Sequence, residues 1–193
     1  MKKLMIVIPA LAALSVGVFG LINLSKSSQP NAKRTIVTTA VASYMSFASL
    51  NDLEQASDII LIGRTREDFK DREHKITKYA DGSIQDFYTL TKIEIDRVIK
   101  GDTSLRDLQI VEPVGMIVEN NATHIMKFEN YEPLEKNKQY IIYLKHNGIA
   151  NYGVINMNNG KFETERLKIK NSNIEEGKVT KKLIGEIQSK YEF

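Results

Sequence analysis

Residues 93–102 read IEIDRVIKGD. Ile93 and Ile95 alternate with Glu94 and Asp96, the two-residue period of a strand with one dry face and one wet face. The two acids, flanked by Lys92 and Arg97, fall on the wet side and read as a solvated surface rather than a catalytic carboxylate pair. Gly101-Asp102 reads as the turn that ends the strand. Leu90 and Val98 lie on the opposite parity from the two isoleucines. That change of phase predicts β-bulges or strong coiling, as a small barrel requires.

Working outward, the segments on both sides are also β-prone. Upstream, DIILIGRTR (58–66) holds a short continuous apolar run ended by Gly63, the pattern of a buried strand. EDFKDREHK (67–75) reads as a charged loop or hairpin tip, and DGS (81–83) as a turn. Downstream, LQIVEP (108–113) is a strand stopped by Pro113. VGMIVENNATHIMKFEN (114–130) divides into a strand, an Asn-rich loop and a second strand. YIIYL (140–144) follows as the strongest apolar run outside the N-terminal segment. Asn147-Gly148 and Asn159-Gly160 are hairpin dipeptides. They predict a three-strand meander through QYIIYLKH, NYGVINM and KFETERLKI. TIVTTAVASYM (35–45) is a possible first strand.

Two helices are expected. Ser49 before Leu50, with Asp52 three residues on, resembles an N-cap with an acid in the first turn. Near the C-terminus, Val179, Leu183, Ile187 and Tyr191 share one helical face, which predicts an amphipathic helix covering one end of the barrel. Six to eight short strands without helical crossovers define a mainly β chain: a small antiparallel, OB-like barrel with a short N-terminal helix and a C-terminal helix, preceded by a transmembrane helix.

Composition narrows the function classes. The chain has 193 residues, 42% hydrophobic and 26% charged, and a formal net charge of +3. Setting aside residues 1–24 removes Lys2 and Lys3 and no acid, which leaves the charges nearly balanced. Basic and acidic residues are interspersed, as in KDREHK and YEPLEKNK. A groove that tracks phosphates needs clustered positive charge, so no nucleic-acid partner is expected. The chain has no cysteine, which excludes disulfides, thiolate metal sites and a cysteine nucleophile.

Met-Lys-Lys opens the chain, and Leu4 to Leu24 follows without a charge. At about 1.5 Å of rise per residue, a helix of that length spans a hydrocarbon core of about 30 Å. The length favours an uncleaved single-pass anchor over a signal peptide cleaved near Ser25-Lys26-Ser27, which would leave a secreted protein. Residues 1–24 are therefore expected as a transmembrane signal-anchor, 25–48 as a linker with the possible first strand, and 49–193 as the barrel domain. A basic tip leading into an apolar run is the export layout and places the domain outside the cytoplasm. The charges flanking the run are almost balanced, which keeps a cytoplasm-facing domain as the alternative.

The order of LEQASDIILIGRTRE, TLTKIEIDRVIKGD, LQIVEP, PLEKNKQYIIYLKH and a strand ending NNGKFE resembles a loose family of bacterial exported or membrane-anchored domains of uncharacterised function. The resemblance covers residues 50–165. It implies an OB-like barrel of the netrin and tissue-inhibitor type, and it brings no catalytic residue set. Asn137 stands where that family carries Gly, and the cysteines of the netrin-type branch are absent, which argues against an inhibitor role.

Motifs for chemistry are sparse. His74, His124 and His146 show no metal-ligand spacing and read as surface residues. No nucleophile elbow and no phosphate-binding glycine loop occurs. Glu175-Glu176-Gly177 is too sparse for a calcium loop, and the sequon Asn121-Ala122-Thr123 carries little weight in a bacterial chain. Tyr131, Tyr140, Tyr143 and Tyr152 cluster in the C-terminal half, where core packing is the plainer reading than a stacking platform. Tyr140 and Tyr143 have opposite strand parity, so one of them faces inward. No catalytic, cofactor-binding or metal residue is expected. The expected function is a membrane-anchored, extracytoplasmic binding or interaction module of the bacterial envelope, with an envelope protein or cell-wall partner. The alternative is an envelope hydrolase, which a deep polar pocket with converging histidine and carboxylate groups would favour.

Overall fold

The structure is a computed structural model and describes residues 34–41, 43–148, 152–169 and 177–193. The expected membrane span at Leu4–Leu24, the linker to residue 33 and the Glu175-Glu176 pair lie outside the described residues. No helix among the described residues is long and apolar enough to cross a membrane.

The strands in chain order are β1 (Arg34–Ala40), β2 (Ile59–Arg64), β3 (Glu73–Lys78), β4 (Ile84–Lys100), β5 (Asp107–Glu112), β6 (Val114–Glu119), β7 (Ala122–Phe128), β8 (Tyr140–His146), β9 (Tyr152–Val154) and β10 (Lys161–Glu163). The helices are α1 (Leu50–Ala56), α2 (Thr164–Lys168) and α3 (Lys178–Lys190). Five strands close a barrel in the order β2-β4-β5-β9-β8 and back to β2. Every joint is antiparallel except β5–β9, where Ile110 and Val111 pair in parallel with Tyr152 and Gly153. Closure removes the open edges that a sheet of this size would otherwise expose. β3 pairs with the first half of β4, and β10 is an edge strand on β8. A separate three-stranded sheet runs β1-β7-β6, with β1 parallel to β7. Asn120 and Asn121, both at positive φ, make the two-residue turn between β6 and β7.

Alternation on β2 and β8 explains their unbroken apolar runs. Ile59 and Leu61 of β2 and Tyr140, Ile142 and Leu144 of β8 fill the barrel, together with Ile93, Ile110 and Val154. The opposite parity, Ile60 and Ile62 with Ile141 and Tyr143, packs outward beneath the helices. Both faces of these two strands are dry, so neither carries a polar alternation. β4 runs for 17 residues, and its register against β2 shifts twice, skipping Ile99 and Asp96. The bulge at Asp96 is the phase change expected at Val98, whereas the pairing from Leu90 to Ile93 is regular and Leu90 lies on the opposite face from Ile93. The two bulges coil one strand around two sides of the barrel.

The Ser49 cap forms as expected. Its hydroxyl accepts the Asp52 N–H at 3.2 Å and donates to the Asp52 carboxylate at 2.6 Å. Helix α3 buries Leu183 and Ile187 completely, worth about 1.5–3 kcal/mol each. It lies over the outer face of β2 and β8 beside α1 and α2 instead of plugging an end, because that face carries the apolar surface left by two-sided strands. Glu186 of α3 accepts the Leu50 N–H at 2.6 Å, and the Glu54 carboxylate of α1 takes Lys190 and Tyr191.

The expected meander is corrected in two ways. β9 and β10 follow one another along the same edge of β8, the edge opposite β2, with β10 on Tyr140–Ile142 and β9 on Leu144–His146, so they do not pair with each other, and ETERLKI folds largely into α2 rather than extending the strand. The two Asn-Gly dipeptides also differ. Gly148 sits at φ +82 in a turn. Gly160 ends a 3₁₀ turn and is needed for space: an added Cβ would stand 1.6 Å from the Ile155 carbonyl oxygen. Gly160→Ala is therefore expected to lower stability by about 3 kcal/mol or more, and Gly148→Ala by about 1–2 kcal/mol. Urea midpoints measure both. Equal losses would contradict the assignment.

Candidate functional site

The acids of the opening stretch are fixed in a cross-strand ladder. Arg66 Nε donates to Glu94 at 2.6 Å, and Arg64 Nη2 donates to Asp96 at 2.6 Å, where Gln139 joins it. The Arg66 guanidinium holds the Glu94 carboxyl below its usual range. The shallow groove over this face, between Arg66, Lys92, Glu94, Arg106 and Asp107, alternates charges and is lined by no aromatic ring. A stacking platform for bases or sugars needs such rings.

The polar chemistry lies inside the barrel. Arg72, in the charge-rich segment after β2, and Glu112, at the end of β5, form an ion pair with Nη1 2.9 Å from Oε2 and both side chains fully excluded from solvent. Burying two charges is expensive unless every polar atom is matched. Here Glu112 also accepts the Thr91 hydroxyl at 2.5 Å, the Tyr131 hydroxyl at 2.8 Å and the Leu134 N–H at 2.8 Å. Arg72 spends its other donors on the carbonyls of Glu67 and Leu134. The network ties the β2–β3 connection, β4, β5 and the 129–139 loop to one point. Burial pushes the Tyr131 phenol well up, and the Glu112 charge pushes the same way.

Above this network, along the edge of β10, runs a cleft of about 340 Å³, near the lower limit for ligand pockets. The 129–139 loop contributes Glu132, Pro133 and Glu135 to one wall. The 3₁₀ turn before β10 and the first turns of α3 contribute Asn158, Asn159 and Thr180 to another. Phe162, Leu167 and Ile184 supply the apolar part. The three carboxylates in the lining are already matched: Glu132 by Lys127 at 2.5 Å, Glu135 by Lys138 at 2.8 Å and Glu163 by Lys138 at 3.2 Å.

Lys161 is different. Pairing with Ile142 puts its side chain on the barrel-facing parity of β10. Its amine rests 4.8 Å from the ring centre of Tyr131 and 5.9 Å from that of Tyr140. No hydrogen bond or ion pair reaches it among the described residues. Burial pushes this amine below the ordinary lysine range, against the pull of the Glu112, Glu132 and Glu135 charges. A partly desolvated lysine without a counter-ion in a cleft is a recognised mark of a working site.

The histidines stand apart from the cleft lining. His74 is not a surface side chain: it is half-buried, with Nδ1 2.8 Å from Thr89 Oγ1 and its ring edge-on to Phe69 at 4.8 Å. Its Nε2 is buried without a partner, and burial pushes its pKa down. His124 lies on β7, and His146 caps the end of β8 against Tyr152. Tyr140 faces into the barrel and Tyr143 outward beneath the helices, as their parity requires, and both are buried. Among the described residues no cluster of three or more His, Asp and Glu is placed to hold a metal ion. Sequence reading missed Arg72, Glu112 and Lys161. Only Glu112 left a signal, since it shares the parity of Leu108 and Ile110. A scan of known protein families finds none that matches the chain, and a search of curated proteins finds no match.

One prediction concerns the network and another the buried tyrosines. Glu112→Ala strands a buried guanidinium and is expected to cost about 3–5 kcal/mol, while the double variant Arg72→Met/Glu112→Leu loses clearly less. A single substitution costing under about 1 kcal/mol in urea titration contradicts the pairing. The second concerns alkaline pH. The raised phenols of Tyr131 and Tyr143 stay protonated in the fold, whereas unfolded tyrosines ionise near 10. Their contribution to stability is present below that pH and is lost as pH rises above it. Absorbance at 295 nm is expected to show these phenolates appearing only with the loss of circular dichroism. Ionisation of all eight tyrosines before unfolding would refute it.

Proposed function

We propose that this chain is a membrane-anchored, extracytoplasmic binding module of a bacterial cell envelope that holds its ligand or partner in the cleft along β10. The observation that carries this reading is the cleft itself, where three carboxylates are matched by Lys127 and Lys138 while the Lys161 amine, against the rings of Tyr131 and Tyr140, is left without a counter-ion. Binding sites commonly combine an apolar lining with a few unmatched polar groups. The charge-free run from Leu4 to Leu24 behind Met-Lys-Lys supports anchoring and export. The barrel order supports an OB-type barrel: taking the five barrel strands in chain order, the ring runs first, second, third, fifth, fourth, with the third parallel to the fifth.

OB-type barrels bind chiefly on the face of their second and third strands. Here that face is β4–β5, whose charges are already paired, and this favours the β10 cleft as the working surface. Carboxylates line the cleft but histidines do not, which favours binding over acid–base hydrolysis.

The test uses the full chain in bacterial cells. A photoreactive benzophenone side chain is placed at Ile184, inside the cleft, and at Tyr79, on the exposed β3–β4 turn. Irradiation is expected to give a crosslinked species from position 184 that is absent from position 79. Protease added to intact spheroplasts is expected to remove the domain. Identical crosslinks from both positions overturn the cleft assignment, and full protection from protease overturns the topology.

A further inference from the structure

We propose that Lys161 is a nucleophilic amine and that the β10 cleft captures a small, uncharged aldehyde or ketone as a reversible imine. The inference rests on the cleft being the ligand site and goes beyond it by naming the chemistry.

Three features of the geometry carry it. First, the amine lacks a counter-ion. The nearest network acid, Glu112, is committed to Arg72, Thr91, Tyr131 and Leu134. The cleft acids Glu132, Glu135 and Glu163 are committed to Lys127 and Lys138. Second, the half-buried side chain lies against the rings of Tyr131 and Tyr140, which displace part of the water around the amine. Desolvation of this kind is how lysines become nucleophiles. Third, the cavity beside it, about 340 Å³, has room for a small molecule of about ten heavy atoms. The three lining carboxylates are matched by Lys127 and Lys138, and no metal-holding cluster occurs among the described residues. A neutral carbonyl compound needs neither a free counter-charge nor a metal.

In the step itself, the Nζ lone pair attacks the carbonyl carbon. The carbonyl oxygen leaves as water, carrying the two protons given up by the amine, and a C=N bond replaces the C=O bond. No oxidant or reductant is consumed. Solvent water at the open side of the cleft relays the protons, and hydrolysis by the reverse path releases the ligand.

The experiment uses the full chain and benzaldehyde as the probe, with sodium cyanoborohydride to trap the imine as a secondary amine. Peptide mass spectrometry then gives the rate at each lysine. At pH 7 Lys161 is expected to react several-fold faster than the exposed lysines, since a lowered pKa raises the fraction of free amine. Its rate is also expected to level off at a lower pH than theirs. The groups facing it that shape this profile are Glu112, Glu132, Glu135, Glu163, Tyr131 and Tyr140. Accessibility alone would change the rate but leave the pH profile shared. Urea-unfolded chain is expected to lose the preference, and Lys161→Arg to lose the selective adduct while keeping its melting temperature. Reaction at Lys161 no faster than at the exposed lysines, or with their pH profile, overturns the inference. If the position-184 crosslink forms and the selective adduct does not, the binding site stands and the imine chemistry falls. If the adduct is selective and the crosslink is absent, the amine chemistry stands and the envelope ligand falls.

Discussion

The ion pair between Arg72 and Glu112 is the constraint on which the rest of this molecule depends. Two opposite charges sit inside a small barrel with no access to water. Such a pair stabilises a fold only when its remaining donors and acceptors are satisfied, and here hydroxyls, an amide and carbonyls from three segments satisfy them. The position of Leu134 is set twice over, by its N–H on Glu112 and by its carbonyl on Arg72. The loop it belongs to forms one wall of the cleft. The same network absorbs the Glu112 charge that would otherwise neutralise Lys161. A structural pair and an unmatched amine are thus two consequences of one arrangement.

The barrel can hold this pair because its other contacts are dry. β2 and β8 bury both faces, one in the barrel and one beneath α1, α2 and α3. The bulges in β4 let a single strand bend around the barrel and still pair with β3, β5 and β2. The ion-pair ladder of Arg64, Arg66, Glu94 and Asp96 covers the outside of that bend. Exposed pairs of this type add little stability each. Their effect is to keep the outer face polar.

Much of this architecture is legible in residue patterns with a strict period. Ile93 and Ile95, the change of phase at Val98, the unbroken runs of β2 and β8, the Ser49 cap and the opposite parities of Tyr140 and Tyr143 all report local geometry. The site is less legible, because its residues are recognised by long-range partners. Arg72 stands among acids and bases that are nearly all solvated, and nothing local separates it from Lys70 or Glu73. Glu112 could be suspected from its parity with Ile110, but its partner lies forty positions away in the chain. Lys161 follows a turn dipeptide that reads as a hairpin. Its environment depends on β10 pairing with β8 rather than β9, a choice made by barrel closure between β9 and β5. The segment ETERLKI turns into α2 because β10 is only three residues long and its continuation finds apolar surface under α3.

The most direct test of the central claim, that the buried pair pins the cleft wall to the barrel, is amide hydrogen exchange at Leu134. Its N–H belongs to a loop yet donates to Glu112 in the barrel interior. The account predicts that Leu134 exchanges only through global unfolding, with the same protection as the amides of Ile142 and Leu144 in β8. Exchange at the rate of an open loop would contradict it and would detach the cleft from the network.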